Sequence, residues 1–472
     1  MKRLLIFLIP LILMCQPANE KEAPREQQQP NFVIIFCDDL GYGDLSSFGN
    51  PTIMTPNLDR MAMEGQKWTQ FYVADPVCTP SRAALMTGRY PIRTGMTSKQ
   101  RAVLFPDSGS GLQSEEITIA EVLKQKNYAT ATIGKWHLGH LPQYLPTAQG
   151  FDSYFGIPYS NDMDAVNGMW PYYHKNKADP NFISEIKNYN VPLMENETVI
   201  ERPADQTTIT RRYTDRAVDY IKENQNKPFF LYLAHSLPHI PLFVSQDFLG
   251  SSKRGIYGDV LQEIDHGVGK ILKTLEELNL DENTIVLFTS DNGPWLAFDT
   301  HGGSAGPLRA GKGTTFEGGQ RVPTIFWGPG NVKPGIVTEM GSTLDVINTF
   351  ASLAGAEVPQ DRKMDGHDLS AVLKGTGNSP RNTFHYWAFG ELHAVRSGPW
   401  KLHVQQRVPI TYNLIKELED PELYHLEADI SERHDVAGVE QDVVKRLLNI
   451  IDEHQLDVVG STPDQLDIRI EK

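Results

Sequence analysis

The sequence predicts an α/β fold: a mostly parallel sheet sandwiched by helices, followed by a smaller C-terminal antiparallel sheet with a helix. Up to about residue 375, short β-branched and aromatic runs alternate with amphipathic helical stretches, the pattern of a parallel sheet covered on both faces. Beyond that point strand candidates follow one another closely before a helix returns, as in an antiparallel sheet packed beside a larger body. With 472 residues, 40% apolar and 22% charged, the chain can bury one substantial core and a smaller attached unit.

Lys2 and Arg3 precede an apolar run, Leu4 to Met14, too short to span a bilayer as a mature helix, and together they read as an export signal. Cys15 follows, then a Gln-, Glu- and Pro-rich stretch to Pro30. Two readings stay open: a plain cleaved signal, or a lipoprotein signal in which Cys15 carries the lipid and residues 16–30 form a tether. Met14 is bulkier than the residue that ordinarily precedes a lipidated Cys. Without Cys15 only Cys37 and Cys78 remain, so disulfides do not hold the fold, as expected of a bacterial rather than an animal exported protein. The expected location is the periplasm or cell surface of a bacterium, with the membrane reached only through that anchor.

Phe32 to Cys37 is an apolar strand. Thr55-Pro56 opens a helix, with Thr as cap and Pro in the first turn. A helix is expected over Ser114 to Lys126, with Ile117, Ile119, Ala120 and Leu123 inward. Ala129 to Ile133, Phe229 to Ala234, Thr284 to Ser290 and Val322 to Trp327 read as strands, and Leu344 to Ala354 as a helix. Val260, Leu261, Ile264, Val268, Ile271, Leu272 and Leu275 recur at helical spacing along Tyr257 to Leu278. In the C-terminal part, Phe384 to Trp387, Ala394 to Arg396, Lys401 to Val404 and Glu422 to Leu426 are strands, closed by a helix over Val439 to His454. The chain thus divides into a signal segment (1–15), a polar tether (16–30), a main α/β body (31–375) and a C-terminal α+β subdomain (376–472).

Four strands run into charged or metal-competent residues: Asp38-Asp39, Lys135-Trp136-His137, His235 with His239, and Asp291-Asn292. Ligands of open α/β sheets bind beyond the carboxyl ends of strands, so these groups are expected to converge. Asp38, Asp39, Asp291 and Asn292 offer hard oxygen ligands that suit Ca2+ or Mg2+, and a cation would relieve the repulsion among three carboxylates. The net charge of −15 excludes nucleic acid as the main partner, and an anion could bind only through a local basic pocket or a metal. Pro80 in a first helical turn places Cys78 near a helix N-terminus, a setting for a reactive thiolate at an anion site. Cys37, inside a strand, reads as core.

Cys78-Thr79-Pro80-Ser81-Arg82, followed by Thr87-Gly88-Arg89, resembles the signature of the type I sulfatases, in which a separate enzyme oxidises the Cys to formylglycine. The resemblance continues through Asp38-Asp39-Leu40-Gly41-Tyr42-Gly43-Asp44, Gly134-Lys135-Trp136-His137-Leu138-Gly139, Gly150-Phe151-Asp152, Ile157-Pro158-Tyr159-Ser160, Asp291-Asn292-Gly293 and Gly311-Lys312-Gly313 to Gly319. Within that family the pattern is similar to arylsulfatase A-like and N-acetylgalactosamine-6-sulfatase-like members of the alkaline phosphatase-like superfamily. The resemblance implies that 31–375 is the catalytic domain and that formylglycine-78, as its hydrate, attacks sulfur. It implies one Ca2+, rather than Mg2+, held by Asp38, Asp39, Asp291, Asn292 and residue 78, with Asp291 accepting the proton of the attacking hydroxyl. Arg82 and Lys135 would steady the hydrate and sulfate, Lys312 and His239 would bind sulfate and serve the leaving oxygen, His137 would act as the base that releases sulfate, and Ser160 would support the site.

The expected partners are a sulfated carbohydrate and a formylglycine-generating or anaerobic sulfatase-maturing enzyme; the expected action is exo, on a sulfated polysaccharide or its oligosaccharides. Trp170, Tyr172, Tyr173 and Trp295 are candidates to stack on sugar faces, and His301 to face the substrate. Two alternatives stand beside this reading: a phosphatase or phosphodiesterase of the same superfamily, and a non-catalytic surface glycan-binding protein should Cys78 stay unmodified.

Overall fold

The computed structural model describes residues 29–166, 168–407, 415–458 and 464–471. The signal segment, Cys15 and the tether as far as Gln28 lie outside the described residues. Ten strands form one sheet: β1 (Asn31–Cys37), β2 (Gln66–Tyr72), β3 (Ala129–Gly134), β4 (Ser153–Gly156), β5 (Leu193–Glu195), β6 (Thr198–Glu201), β7 (Phe229–Ala234), β8 (Thr284–Ser290), β9 (Thr324–Trp327) and β10 (Gly335–Ser342). Their order is β10-β2-β9-β8-β1-β7-β3-β4-β5-β6. The central β8, β1, β7 and β3 are mutually parallel, whereas β9 runs antiparallel to both its neighbours. β11 (Thr383–Ala388), β12 (Glu391–Ser397), β13 (Trp400–Arg407) and β14 (Ile415–His425) make a second, antiparallel sheet in sequence order.

β1 shows why the large sheet needs a layer on each face. It is buried throughout, and alternate residues enter different cores. Val33, Ile35 and Cys37 join the side covered by helices Pro56–Glu64, Ile209–Glu223 and Ile256–Glu277; Phe32, Ile34 and Phe36 join the side covered by Cys78–Thr87, Ile119–Lys124 and Val346–Ala354. A third cluster mixes Tyr72, Ala84 and Leu344 with Tyr386, Leu402 and Leu447, so the C-terminal sheet and the helix Gln441–Asp457 share a core with the main body.

Several expected elements differ in extent. The helix expected from Ser114 begins only at Ile119, because Thr118 and Glu121 form a capping box that fixes its start. Thr55 precedes the helix at Pro56 but does not cap it with its side chain; its hydroxyl pairs with Ser46, and the Asp265 carboxylate takes the orphan amides of Asn57 and Leu58. The strand expected from Val322 starts at Thr324, and the last helix runs Gln441–Asp457. β2, β10 and the helix Ile209–Glu223 were not foreseen.

Candidate active site

The polar residues that follow β8, β1, β7 and β3 meet at the carboxyl ends of four adjacent strands. Asp38 and Asp39 follow β1, Asp291 and Asn292 follow β8, Lys135 and His137 follow β3, and His239 lies beyond β7. Gly134 has no room for a side chain, since a Cβ there would lie 1.8 Å from the Ala234 carbonyl oxygen; that close approach turns the chain so that the Lys135 amide donates to the same oxygen at 2.7 Å. Asp39 (φ 62) and His137 (φ 60) both adopt left-handed backbone, a costly conformation that clusters at functional sites.

Cys78 is the first residue of the helix Cys78–Thr87, every residue of which is buried. Its Sγ is 2% exposed as a residue, 3.3 Å from Asp38 Oδ1, and 3.6 Å from Lys312 Nζ. Lys135 Nζ donates to Asp38 Oδ2 at 2.5 Å and to Ser160 Oγ at 3.2 Å. Lys312 Nζ lies 2.7 and 2.9 Å from the Asp39 oxygens and 4.3 Å from the centre of the Trp295 ring. Arg82, fully buried, clasps Asp291 Oδ2 through Nε and Nη2 and donates from Nη1 to the Lys135 carbonyl. His239 Nε2 faces Asp39 Oδ2 at 3.7 Å, while its Nδ1 donates to the Ile240 carbonyl. His137 Nε2 donates to the Leu104 carbonyl at 2.9 Å, and its Nδ1 has no protein partner.

These neighbours push the titrations apart. Burial alone would raise the Asp38 carboxyl, but Lys135, His239, Arg82 and Lys312 outweigh it and hold it well below the usual carboxylate range. Asp39 is pushed up to about 7 by burial, with Asp38 and Asp291 adding to the rise against Lys312. Asp291 is raised by burial and by Asp38. Burial, then Lys135, lowers His137 far enough to keep it a neutral base.

A cation fits this donor set. Asp38, Asp39, Cys78 and His239 each bring a ligand atom within 4.8 Å of the others. Asn292 Nδ2 donates to Asp39 Oδ1 at 2.7 Å and leaves its own buried Oδ1 without a partner; with a cation beside Asp39, turning the amide would present that oxygen to it. Oxygen donors dominate, which suits a hard divalent ion.

The sulfatase family profile matches residues 30–356, and one described as "N-sulphoglucosamine sulphohydrolase, C-terminal" matches 311–457. The chain belongs to the sulfatase family. This sulfatase is 44% identical over 383 residues to arylsulfatase A of Bos taurus, covering 79% of this chain and 74% of the bovine protein. It is 39% identical over 468 residues to N-acetylgalactosamine-6-sulfatase of Canis lupus familiaris, covering 92% and 88%. The crystal structure of Ps i-CgsB in complex with k-i-k-neocarrahexaose superposes with a TM-score of 0.78 at 32% identity, covering 94% of this chain and 96% of that one. The sulfatase is therefore a sulfuric ester hydrolase on an alkaline phosphatase-like fold.

The residues expected to act in catalysis, sulfate binding or metal binding (Cys78, Arg82, Lys135, His137, Ser160, His239, Lys312, Asp38, Asp39, Asp291 and Asn292) are all buried around one point in this sulfatase. Both ring nitrogens of His301 are engaged within the protein, with Tyr173 Oη at 2.6 Å and the Asp179 carbonyl at 2.9 Å. That bond also buries Tyr173, which is a packing residue, whereas Tyr172 is half-exposed and Trp170 lies at the surface. His235 is buried and held neutral, pushed down to about 4 by desolvation. Leu104 and Trp295 are the surroundings that motif reading undervalued. Leu104 acts through its carbonyl, which no side-chain pattern reveals. The Trp295 ring lies 5.3 Å from that of His239 and walls the pocket beside Lys312.

Proposed function

We propose that this sulfatase removes sulfate esters from a carbohydrate, a sulfated polysaccharide or its oligosaccharides, through formylglycine at position 78 and one Ca2+. The observation that carries the reading is the placement of Cys78 Sγ, at a helix N-terminus and within reach of Asp38 on one side and Lys312 on the other. The relative named N-acetylgalactosamine-6-sulfatase and the neighbour crystallised with k-i-k-neocarrahexaose support a sugar substrate. Exo action is in keeping with the burial of the site, where Asp39, His239 and Lys312 are each at most 6% exposed.

Asp38, Asp39, Asp291, Asn292 and residue 78 would hold the Ca2+, which when bound supplies positive charge beside the sulfate oxygens. Formylglycine supplies, as its hydrate, one hydroxyl to attack sulfur and a second whose deprotonation frees the product. Lys135 and Lys312 approach position 78 from different carboxylates, so both ammonium groups are aimed where a sulfate would carry its charge. Arg82 orients Asp291 and reaches Asp38 at 3.7 Å, which makes it a support of the carboxylates. His137, with Nε2 committed to Leu104, keeps Nδ1 as the lone-pair acceptor a base requires. His239 spends its Nδ1 proton on Ile240 and can donate from Nε2 only as imidazolium; Lys312 is the donor better placed for a leaving oxygen. Ser160 holds Lys135 in line. The working location in this reading is the periplasm or surface of a bacterium, reached through either a cleaved signal or a lipoprotein signal with Cys15 lipidated, and a sulfatase-maturing enzyme is a partner.

Sulfate release from defined sulfated mono- and disaccharides tests the proposal. The peptide 76–89 should lose the mass that separates a thiomethyl from an aldehyde, Cys78→Ala should release no sulfate, and chelation should stop turnover until Ca2+ is restored. Turnover by Cys78→Ala, or undiminished activity after chelation, would refute the formylglycine or the metal assignment respectively.

A further inference from the structure

Lys312 is carried by a tight loop with a buried polar assembly behind it. On the site side its backbone is pinned between the segment that follows β8 and the one that leads into the Cys78 helix: the Lys312 amide donates to the Pro294 carbonyl at 2.9 Å and the Gly313 amide to the Pro76 carbonyl at 3.0 Å. A Cβ on Gly293 would lie 1.8 Å from the Gly318 carbonyl oxygen, so the loop is pressed directly on the chain that follows Asn292. The far side is held by the C-terminal sheet. Lys401 Nζ, on β13 and fully buried, donates to the Thr315 carbonyl at 2.8 Å and to Glu317 Oε1 at 2.9 Å, and lies 2.9 Å from Glu432 Oε1. Glu432 in turn accepts the Glu317 amide at 2.7 Å and His403 Nε2 at 2.9 Å, and its carbonyl accepts Arg309 Nη1 at 2.6 Å.

One ammonium group is thus shared by two buried carboxylates and a carbonyl of the Lys312 loop. A surface unit merely leaning on the main body would not require so expensive a desolvation of charge. We propose that Lys401 is a positioning residue for the sulfate site: by fixing Thr315 to Glu317 it sets where Lys312 Nζ stands between Asp39 and Cys78. The C-terminal sheet then belongs to the catalytic apparatus even though none of its described side chains contacts the reacting groups. The proposal rests on the sulfatase reading for the meaning of Lys312, and on contacts alone for the clamp.

Displacement of a catalytic group by about 1 Å costs up to roughly a hundredfold in rate. Lys401→Met is expected to lower kcat by about tenfold to a hundredfold and to change nothing further when Lys312 is already Ala, since the two substitutions damage one function. Lys401→Met removes the cation that Glu317 and Glu432 share, leaving Glu317 to Arg321 and Glu432 to His403, and can fail to fold, so Arg309→Met, at a partly exposed position on the same clamp, is measured beside it. It should fold as judged by thermal unfolding, lose kcat about severalfold, and show the same dependence on Lys312. Unchanged kcat in the folded Arg309→Met protein, or losses that multiply in the Lys312→Ala chain, would overturn the proposal. Wild-type protein that releases no sulfate would overturn the sulfatase reading instead; the clamp would then be judged by amide hydrogen exchange at 311–319, which Arg309→Met must accelerate and whose constancy would reject it.

Discussion

At the scale of single residues, His137 shows how backbone and ring cooperate. Its left-handed backbone places the ring so that Nε2 meets the Leu104 carbonyl, and Thr79, next to Cys78, donates to the His137 carbonyl at 3.0 Å. The free Nδ1 is therefore fixed relative to position 78. His137→Ala is expected to lower kcat by about 10²- to 10⁴-fold and to cost only the roughly 1–3 kcal/mol of stability of an orphaned buried carbonyl, as read by sulfate release and calorimetry. Asp38, Asp39, Lys135, Asp291 and Asn292 were legible because they closely follow strands, and Cys78 because it begins a helix; Arg82, Ser160 and Lys312, inside a helix or in loops, were legible only through the motifs they sit in. The roles of Leu104 and of Lys401 were not legible: one works through a carbonyl, and the other reads as an ordinary strand lysine until the fold brings Glu317 and Glu432 to it.

Among elements, the docking of the helix Gln441–Asp457 rests on an aromatic stack. The His385 and His454 rings lie 3.7 Å apart and nearly parallel, and His454 Nε2 accepts from Trp387 Nε1 at 3.1 Å, so His454 is neutral in the fold. Desolvation pushes it down to about 4, whereas an unfolded histidine titrates near 6.5. The unfolded chain thus takes up the proton more readily between those values. Stability from this group is complete above about pH 6.5 and is lost as pH falls toward 4, by about 3 kcal/mol. Urea unfolding followed across that range should show a flatter limb in His454→Phe than in the parent; identical slopes would deny the stack this role. Central strands such as β1 and β8 declared themselves as unbroken apolar runs. β2, Gln-Lys-Trp-Thr-Gln-Phe-Tyr, did not, because polar residues alternate into it, and the stripe of Ile209, Tyr213, Ala217, Val218 and Ile221 in the helix Ile209–Glu223 is carried partly by Tyr and Ala.

For the whole molecule, residues far apart in sequence close one site, and the crowding of Asp38, Asp39 and Asp291 is a destabilising feature that a bound cation would remove. Added Ca2+ should raise the midpoint of thermal unfolding, by about 2.7 kcal/mol of stability at a hundredfold excess over Kd, and Asp39→Asn should abolish the response. Cys78→Ala, which removes one of the groups expected at the ion, should weaken that response without abolishing it, while stopping turnover altogether. The alternation of strand and helix made the main body legible as a layered α/β unit. The shared core with the C-terminal sheet was not, since no local pattern records which surfaces of two units will meet.

The depth of Cys78 also governs the order of events in the life of the chain. A sulfur atom at the start of a helix with no exposed residue offers nothing for another protein to grip once that helix is packed. On the proposed formylglycine reading, an enzyme that oxidises this side chain would reach it far more readily before the helix packs than after.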